Sequence, residues 1–439
     1  MAHQPTLVER SGSHPGPLIA VLIVLSLFFF IYSVEFSFFP VHTSRIVSAL
    51  GGLLLLLITI RVSFRIAVDQ RVLLVVALLT GFVGWVGIRT AIAGAEDLSL
   101  MIASALIFIQ VLPGAAAIAY VLQRRDFEFD ELIRLLYLVI VMQAGFIVLS
   151  FFSWDFKQWT LMHIPNTAAI DPLHPFRVRG LTHGTGAKLS AFQGAGLVMA
   201  TYLLIKCRTY RELAYLLATS VVVTASIFLT GRTGVLAIPL AMGLLGAYTI
   251  ITGRVGRKSM LAVLAIPIML IVGFLRFQQF YLFLGGWDST VGRGDALESL
   301  IRWFTKEFSF YLSGSPLESG SVGTLLRYHW FLPETDSSLF FGDPNTWNLA
   351  RVQSDVGLVR MLFGAGLIGT LLLYLGVLAM LVSMLRWAES IEQRALLVFL
   401  VIWVAIVELK EPYFLNLRYL SLIAILFFFM CLKHRSRPI

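Results

Sequence analysis

Arginines recur where chemistry on an anion could use them. Arg177 and Arg179 stand in His174-Pro175-Phe176-Arg177-Val178-Arg179-Gly180, and Arg232 in the turn Thr230-Gly231-Arg232-Thr233-Gly234. Arg276 follows one apolar run and Arg360 lies a turn into the next. A guanidinium at membrane depth costs about 2.5–3.5 kcal/mol at a helix centre, so it normally faces a cavity or a partner. Its planar fork matches phosphate oxygens. Each arginine therefore has two readings, an anchor at the headgroups or a phosphate ligand. Several around one vestibule would suit a diphosphate-linked lipid.

Groups able to accept a proton on the same side are His183, His329, Glu334, Asp336, Asp355 and Glu408. A general base must come within hydrogen-bond reach of the hydroxyl it activates. Asp355 opens an apolar run, where an aspartate is equally a helix N-cap worth about 1 kcal/mol. Arg351, four residues earlier, could pair with it on a longer helix. Gly364, Gly366 and Gly369 match G-x-G-x-x-G. They lie inside an apolar run, with no strand before them and no acidic residue about 20 positions on, so the nucleotide reading fails. Small residues there let helices approach closely. There is no zinc spacing, H-E-x-x-H or Walker loop, so the expected chemistry uses no metal and no cofactor.

The elements that must position these residues are apolar and long. Of 439 residues, 58% are hydrophobic and 13% charged, which excludes a soluble globular domain. The formal charge of +9 comes mainly from short loops, so nucleic-acid binding is not expected. Runs at 16–35, 45–60, 72–93, 98–121, 134–152, 189–205, 212–230, 233–252, 259–275, 356–385, 395–408 and 416–432 predict about 12 transmembrane helices in one integral membrane domain, 1–439. The first run follows Arg10 as in a signal peptide. It is too long and lacks a small-x-small cleavage site, so it reads as an uncleaved span.

Alternate short loops are basic. Arg61, Arg65 and Arg71 share one, Arg124, Arg125 and Arg134 another, and Lys206, Arg208 and Arg211 a third. Arg254, Arg257 and Lys258, then Arg386 and Arg394, then the tail with Lys433, Arg435 and Arg437 continue the set. The intervening loops hold one or two basic residues each. The positive-inside rule then puts both termini in the cytoplasm and both long loops, 153–188 and 276–355, outside. Cys207 and Cys431 fall near the cytoplasmic face, so a disulfide framework is not expected.

In the second loop, Asp295 and Glu298 form a capping-box pattern. Leu297, Leu300, Ile301, Phe304, Phe308, Tyr311 and Leu312 then share a helical face. This predicts an amphipathic helix near 295–312, lying on the interface or roofing a cavity. Trp154, Trp159, Trp287, Trp303, Trp330 and Trp347 all fall in the two loops. They read either as an aromatic belt or as platforms for stacking sugars.

In this order the pieces resemble the O-antigen ligase and Wzy-type polysaccharide polymerase superfamily, integral-membrane glycosyltransferases of GT-C-like fold. The resemblance runs from about Arg177 onward and is carried by pattern more than identity. The turn around Arg232 is similar to the family's Ser/Gly-Arg-x-Gly turn. Asp355-Val356-Gly357-Leu358-Val359 followed by Gly366-Leu367-Ile368-Gly369 resembles its span-opening motif. The segment from Glu408 through Lys410, Glu411 and Pro412 to Arg418 and Tyr419 resembles a late motif of the polymerases. Ligases carry a histidine where Asp355 stands, which favours a polymerase using a carboxylate.

The resemblance implies an inverting enzyme of the bacterial inner membrane with a periplasmic active site. It would join undecaprenyl-diphosphate-linked oligosaccharide units of an O-antigen or exopolysaccharide, as in lipopolysaccharide biosynthesis. Asp355 or His329 would be the base. Arg177, Arg179, Arg232, Arg276, Arg360 and Lys410 would hold the diphosphate and glycan. A chain-length regulator and a flippase would be its partners. The alternative within the superfamily is a ligase transferring glycan to lipid A-core. The alternative of another class is a lipid-linked glycan flippase or transporter, which would place polar sites near the midplane and often show repeats with broken helices.

The topology makes a direct prediction. Reporter fusions after Arg125 and after Arg257 should read cytoplasmic, and one after Ser321 periplasmic. A cytoplasmic signal at Ser321 would overturn the orientation.

Overall fold

The computed structural model describes residues 16–39, 41–62, 69–164, 178–182, 186–231, 233–252, 327–347, 352, 354 and 356–435. Among the described residues the protein is helical, apart from an isolated bridge between Phe36 and Phe39. In chain order the helices are α1 (Pro17–Tyr32), α2 (Thr43–Val62), α3 (Gln70–Ile92) and α4 (Ser99–Leu106). A π turn (Ile107–Val111) continues α4 into α5 (Leu112–Arg124), followed by α6 (Phe129–Phe152) and α7 (Trp154–His163). Next come α8 (Gly186–Lys206), α9 (Tyr210–Thr230) and α10 (Ala237–Thr252). The last four are α11 (Asp336–Phe341), α12 (Gly357–Trp387), α13 (Ile391–Glu408) and α14 (Leu417–Arg435).

Nine helices among the described residues are long and apolar enough to cross a membrane, so the chain is a polytopic helical membrane protein. Of the other predicted spans, α1 is apolar but only 16 residues long. α13 is 18 residues long and carries three charges at its ends, Glu392 and Arg394 near its start and Glu408 as its last residue. The predicted span 259–275 and the predicted helix 295–312 lie outside the described residues.

The helices alternate in direction, and contacts sort their termini into two ends. At one, Lys206 Nζ donates to Asp130 at 2.6 Å, Arg134 to Glu212 at 2.7 Å and Tyr248 to Glu392 at 3.4 Å. Arg71 lies 5.6 Å over the Trp387 ring at the same end. Among the described residues, the arginines and lysines of the basic short loops gather here, so we call it the basic end. The described parts of both long loops lie at the other, which we call the loop end. There the Ser37 N–H donates to the His163 carbonyl at 2.7 Å, and Arg89 to the Gly342 carbonyl at 2.9 Å. Thr252 is at the basic end and the segment from 327 at the loop end.

α8 is the axis of the bundle, buried over nearly its whole length. Its small residues permit this. A Cβ on Gly194 would fall 2.6 Å from the Trp403 ring, and one on Gly196 2.6 Å from Ile140. Neighbouring helices therefore approach the α8 backbone as small-residue interfaces allow. α2, by contrast, exposes Leu50, Leu53, Leu56, Leu57 and Ile60, a surface suited to lipid.

The glycine triplet on α12 does pack closely, and it also breaks the helix. Gly366 has φ 69° and ψ 178°. Unbroken, 31 residues would run about 46 Å at 1.5 Å per residue, against a hydrocarbon core of about 30 Å. The break separates residues 357–365 from 367–387. Into it docks Gly342, also at φ 69°, which follows α11. The freed carbonyls find new donors: Ala365 accepts from Trp85 Nε1 at 2.8 Å, and Phe363 from the Asp343 N–H at 2.7 Å.

This joint predicts a selective sensitivity. In Gly366→Ala a Cβ falls 2.5 Å from the Gly342 nitrogen and the Phe340 carbonyl oxygen. The left-handed backbone alone costs about 1–3 kcal/mol in a residue with a side chain. Thermal unfolding of detergent-purified protein should show a lower Tm for Gly366→Ala. Gly246→Ala, which meets nothing within 4 Å, should not differ from wild type.

Candidate functional site

Four pieces of the loop end meet around the start of α8. The first is the turn after α9. Gly231 leaves the helix in extended backbone, its N–H still bonded to the Ile227 carbonyl at 3.0 Å. Ser190 on α8 clamps it, donating to the Gly231 carbonyl at 2.5 Å and accepting from the Gly234 N–H at 3.0 Å. Both glycines are needed for the approach. A Cβ on Gly231 would lie 2.9 Å from the Gly186 carbonyl carbon, and one on Gly234 would collide with the Ser190 carbonyl. Arg232 itself lies outside the described residues. The residues on either side of it are held against the first turns of α8.

The second piece is the segment 409–416 between α13 and α14. Glu408 shapes it: one carboxylate oxygen accepts from the N–H groups of Tyr413 (2.6 Å) and Phe414 (3.0 Å), the other from the Tyr374 hydroxyl (2.6 Å). With both oxygens so engaged, Glu408 acts in the structure as the organiser of this segment. Lys410 is half-buried within it, and Glu411 faces Lys188 of α8 at 3.6 Å. Gly357 sits directly against the segment, since a Cβ there would lie 2.6 Å from the Glu408 carbonyl oxygen.

The third piece is the entry to α12. Its N-cap is Val356, whose N–H donates to Ser354 Oγ at 3.1 Å. Ser354 in turn donates to the His329 carbonyl at 2.8 Å. Asp355 lies outside the described residues, but its neighbours Ser354 and Val356 are fixed. Position 356, not 355, caps the helix. The backbone carrying His329 is tied one residue from Asp355, so the two base candidates come from adjoining segments.

The fourth piece is segment 178–182. The Val178 N–H donates to the Leu229 carbonyl at 3.2 Å, and Gln143 on α6 donates to the Arg179 carbonyl at 2.7 Å. Gly180, at φ 59°, admits Gln143 at that close range. Arg179 is thereby placed near the end of α9, close to the Arg232 turn.

Arg360 sits apart from the α8 cluster. Its guanidinium donates to the Trp347 carbonyl at 2.8 Å and stacks on that indole at 4.7 Å, a contact that holds the 344–347 turn to α12. Glu334 and Asp336 are exposed around the start of α11. Arg177, His183, Arg276, Arg351, Trp287 and Trp303 lie outside the described residues. The exposed Trp154 and Trp159 lie on α7, where Trp159 stacks on His163 at 4.9 Å.

Sequence reasoning passed over Ser190, Gln193 and Tyr32, and it placed Tyr413, Arg418 and Tyr419 in the late motif without giving them a role. The available signal was Arg418 itself, a charge one residue inside the apolar run that begins at Leu417. The cost of burying it asks for a partner.

The clamp yields a prediction. Ser190→Ala leaves the Gly231 carbonyl and Gly234 N–H without this buried partner, a loss of about 1–3 kcal/mol. A lower Tm in detergent is expected, together with loss of whatever activity depends on the Arg232 turn. An unchanged Tm would remove Ser190 from the account of that turn. No protein-family model matches the chain, and no curated protein matches it.

Proposed function

We propose that the protein is a polysaccharide polymerase that joins undecaprenyl-diphosphate-linked glycan units at the periplasmic face of a bacterial inner membrane. In this reading about twelve spans form a GT-C-like domain with both termini cytoplasmic, and the loop end faces the periplasm. The observation that most supports it is the meeting, at one end of the bundle, of the Arg232 turn, the Lys410 segment and the entry to α12. In this reading one end brings the turn that carries Arg232 beside the segments that carry Lys410 and His329.

The chemistry is a single displacement. The hydroxyl of one glycan attacks the anomeric carbon of the other, and the bond from that carbon to the diphosphate oxygen breaks with inversion. Asp355 takes the hydroxyl proton, or His329 does so from the adjoining segment. The departing diphosphate carries the electron pair and gains charge, which Arg232, Arg177 and Arg179 stabilise where it develops. Asp355, standing where the ligases of the resembling superfamily carry histidine, favours polymerisation over transfer to lipid A-core.

One observation bears on the transporter reading, the break in α12. Broken helices in transporters leave backbone groups free to bind substrate or ions. Here Trp85 and Asp343 already occupy the Ala365 and Phe363 carbonyls. That favours the enzyme.

Asp355→Asn tests the proposal. It removes the base while Val356 remains the cap. We expect normal membrane levels, a glycan limited to one repeat unit and accumulation of undecaprenyl-linked single units. Long polymer from this variant would exclude Asp355 as the base, and His329→Gln would then have to abolish extension for the reading to survive.

A further inference from the structure

We propose that Arg418, with the phenols of Tyr32, Tyr413 and Tyr419, forms a second oxyanion pocket that binds a phosphate group. Arg418 is only 8% exposed. A guanidinium so enclosed is costly unless paired. The nearby carboxylates are otherwise engaged: Glu408 by Tyr374, Tyr413 and Phe414, and Glu411 by Lys188. Among the described residues no carboxylate pairs with Arg418. Its charge lies instead among the phenols of Tyr32, Tyr413 and Tyr419.

Those phenols come from three elements, the end of α1, the 409–416 segment and α14, and all three are fully buried. The Tyr413 and Tyr419 rings meet edge to face at 4.8 Å. Both hydroxyls are buried without a hydrogen-bond partner among the described residues. Tyr32 accepts from Gln193 Nε2 at 3.3 Å, so its own O–H is free to donate. Burial pushes the Tyr413 phenol well above its ordinary value, keeping it a donor at any physiological pH.

The set is thus one fixed cation and three O–H donors, and the complement it lacks is an acceptor bearing negative charge. A water could accept from the hydroxyls and the guanidinium but would leave the buried positive charge uncompensated. A phosphate oxygen answers both, and the Arg fork takes two of them. The N-terminal end of α14 adds its dipole in the same sense. A phosphate or diphosphate reaches this pocket either on a lipid or free in solution.

The choice of phosphate rests on the reading of the chain as handling a lipid diphosphate. The test separates the two ideas. Full-length protein in detergent is titrated with farnesyl diphosphate, inorganic pyrophosphate, farnesol and glucuronate, and binding is followed by thermophoresis. Farnesyl diphosphate should bind and farnesol should not. Pyrophosphate of equal affinity would show that the phosphate alone is read, and a weaker pyrophosphate that the lipid contributes.

Arg418→Gln should weaken binding about 10- to 100-fold, the loss of a charged hydrogen-bond partner. Tyr413→Phe keeps the charge and should weaken it about two- to tenfold. Wild-type affinity in both variants would overturn the pocket, as would binding of glucuronate alone. If Arg418→Gln fails to fold, Tyr413→Phe and Tyr419→Phe decide the question. Lost binding in Arg418→Gln with normal polymer in cells would leave the pocket standing and separate it from polymerisation, which Asp355→Asn tests on its own.

Discussion

Hydrocarbon offers no hydrogen bonds, so every backbone N–H and C=O within it must be paired inside the protein. That constraint makes the described chain helical and also explains what happens wherever a helix is interrupted. At the π turn before Pro113, the Ser48 hydroxyl donates to the Gln110 carbonyl at 2.7 Å. At Gly366 the indole of Trp85 and the Asp343 N–H take over. At Gly231 it is Ser190. Each break is repaired by a neighbour, and each repair ties two distant parts of the chain together.

The same economy governs the charges. Glu408 is enclosed at the loop end because three donors converge on it, and in converging they bend segment 409–416 into shape. Arg360 is enclosed because Trp347 covers one face and supplies a carbonyl. Polar residues at this end therefore do structural work first. Those whose partners are all accounted for build the scaffold, and Arg418 with its phenols stands out against that background.

How much of this was legible in the sequence varies with the range of the interaction. Hydropathy located the helices because each reports its own environment residue by residue. Basic clusters sorted the helix ends for the same reason. Gly364, Gly366 and Gly369 were readable as close packing. The break was not, because the φ of Gly366 answers to Gly342, 24 positions earlier in the chain. Ser190 looks like any serine in a small-residue helix, since its role depends on a turn some forty residues later. Asp355 read as either cap or base; the cap position belongs to Val356, and the choice turned on where the helix begins.

α8 carries a further consequence for how the protein is made. It is the least apolar of the nine candidate spans and also the most thoroughly enclosed. Its glycines, Ser190, Gln193 and Thr201 weaken its partitioning into lipid when it first leaves the ribosome. Two of the helices that enclose it, α9 and α10, are synthesised afterwards. Stable insertion of α8 must then depend on partners still to come, so biogenesis is cooperative across α6 to α10. An arrest or truncation after Lys206 leaves the axis of the bundle as its most poorly anchored span.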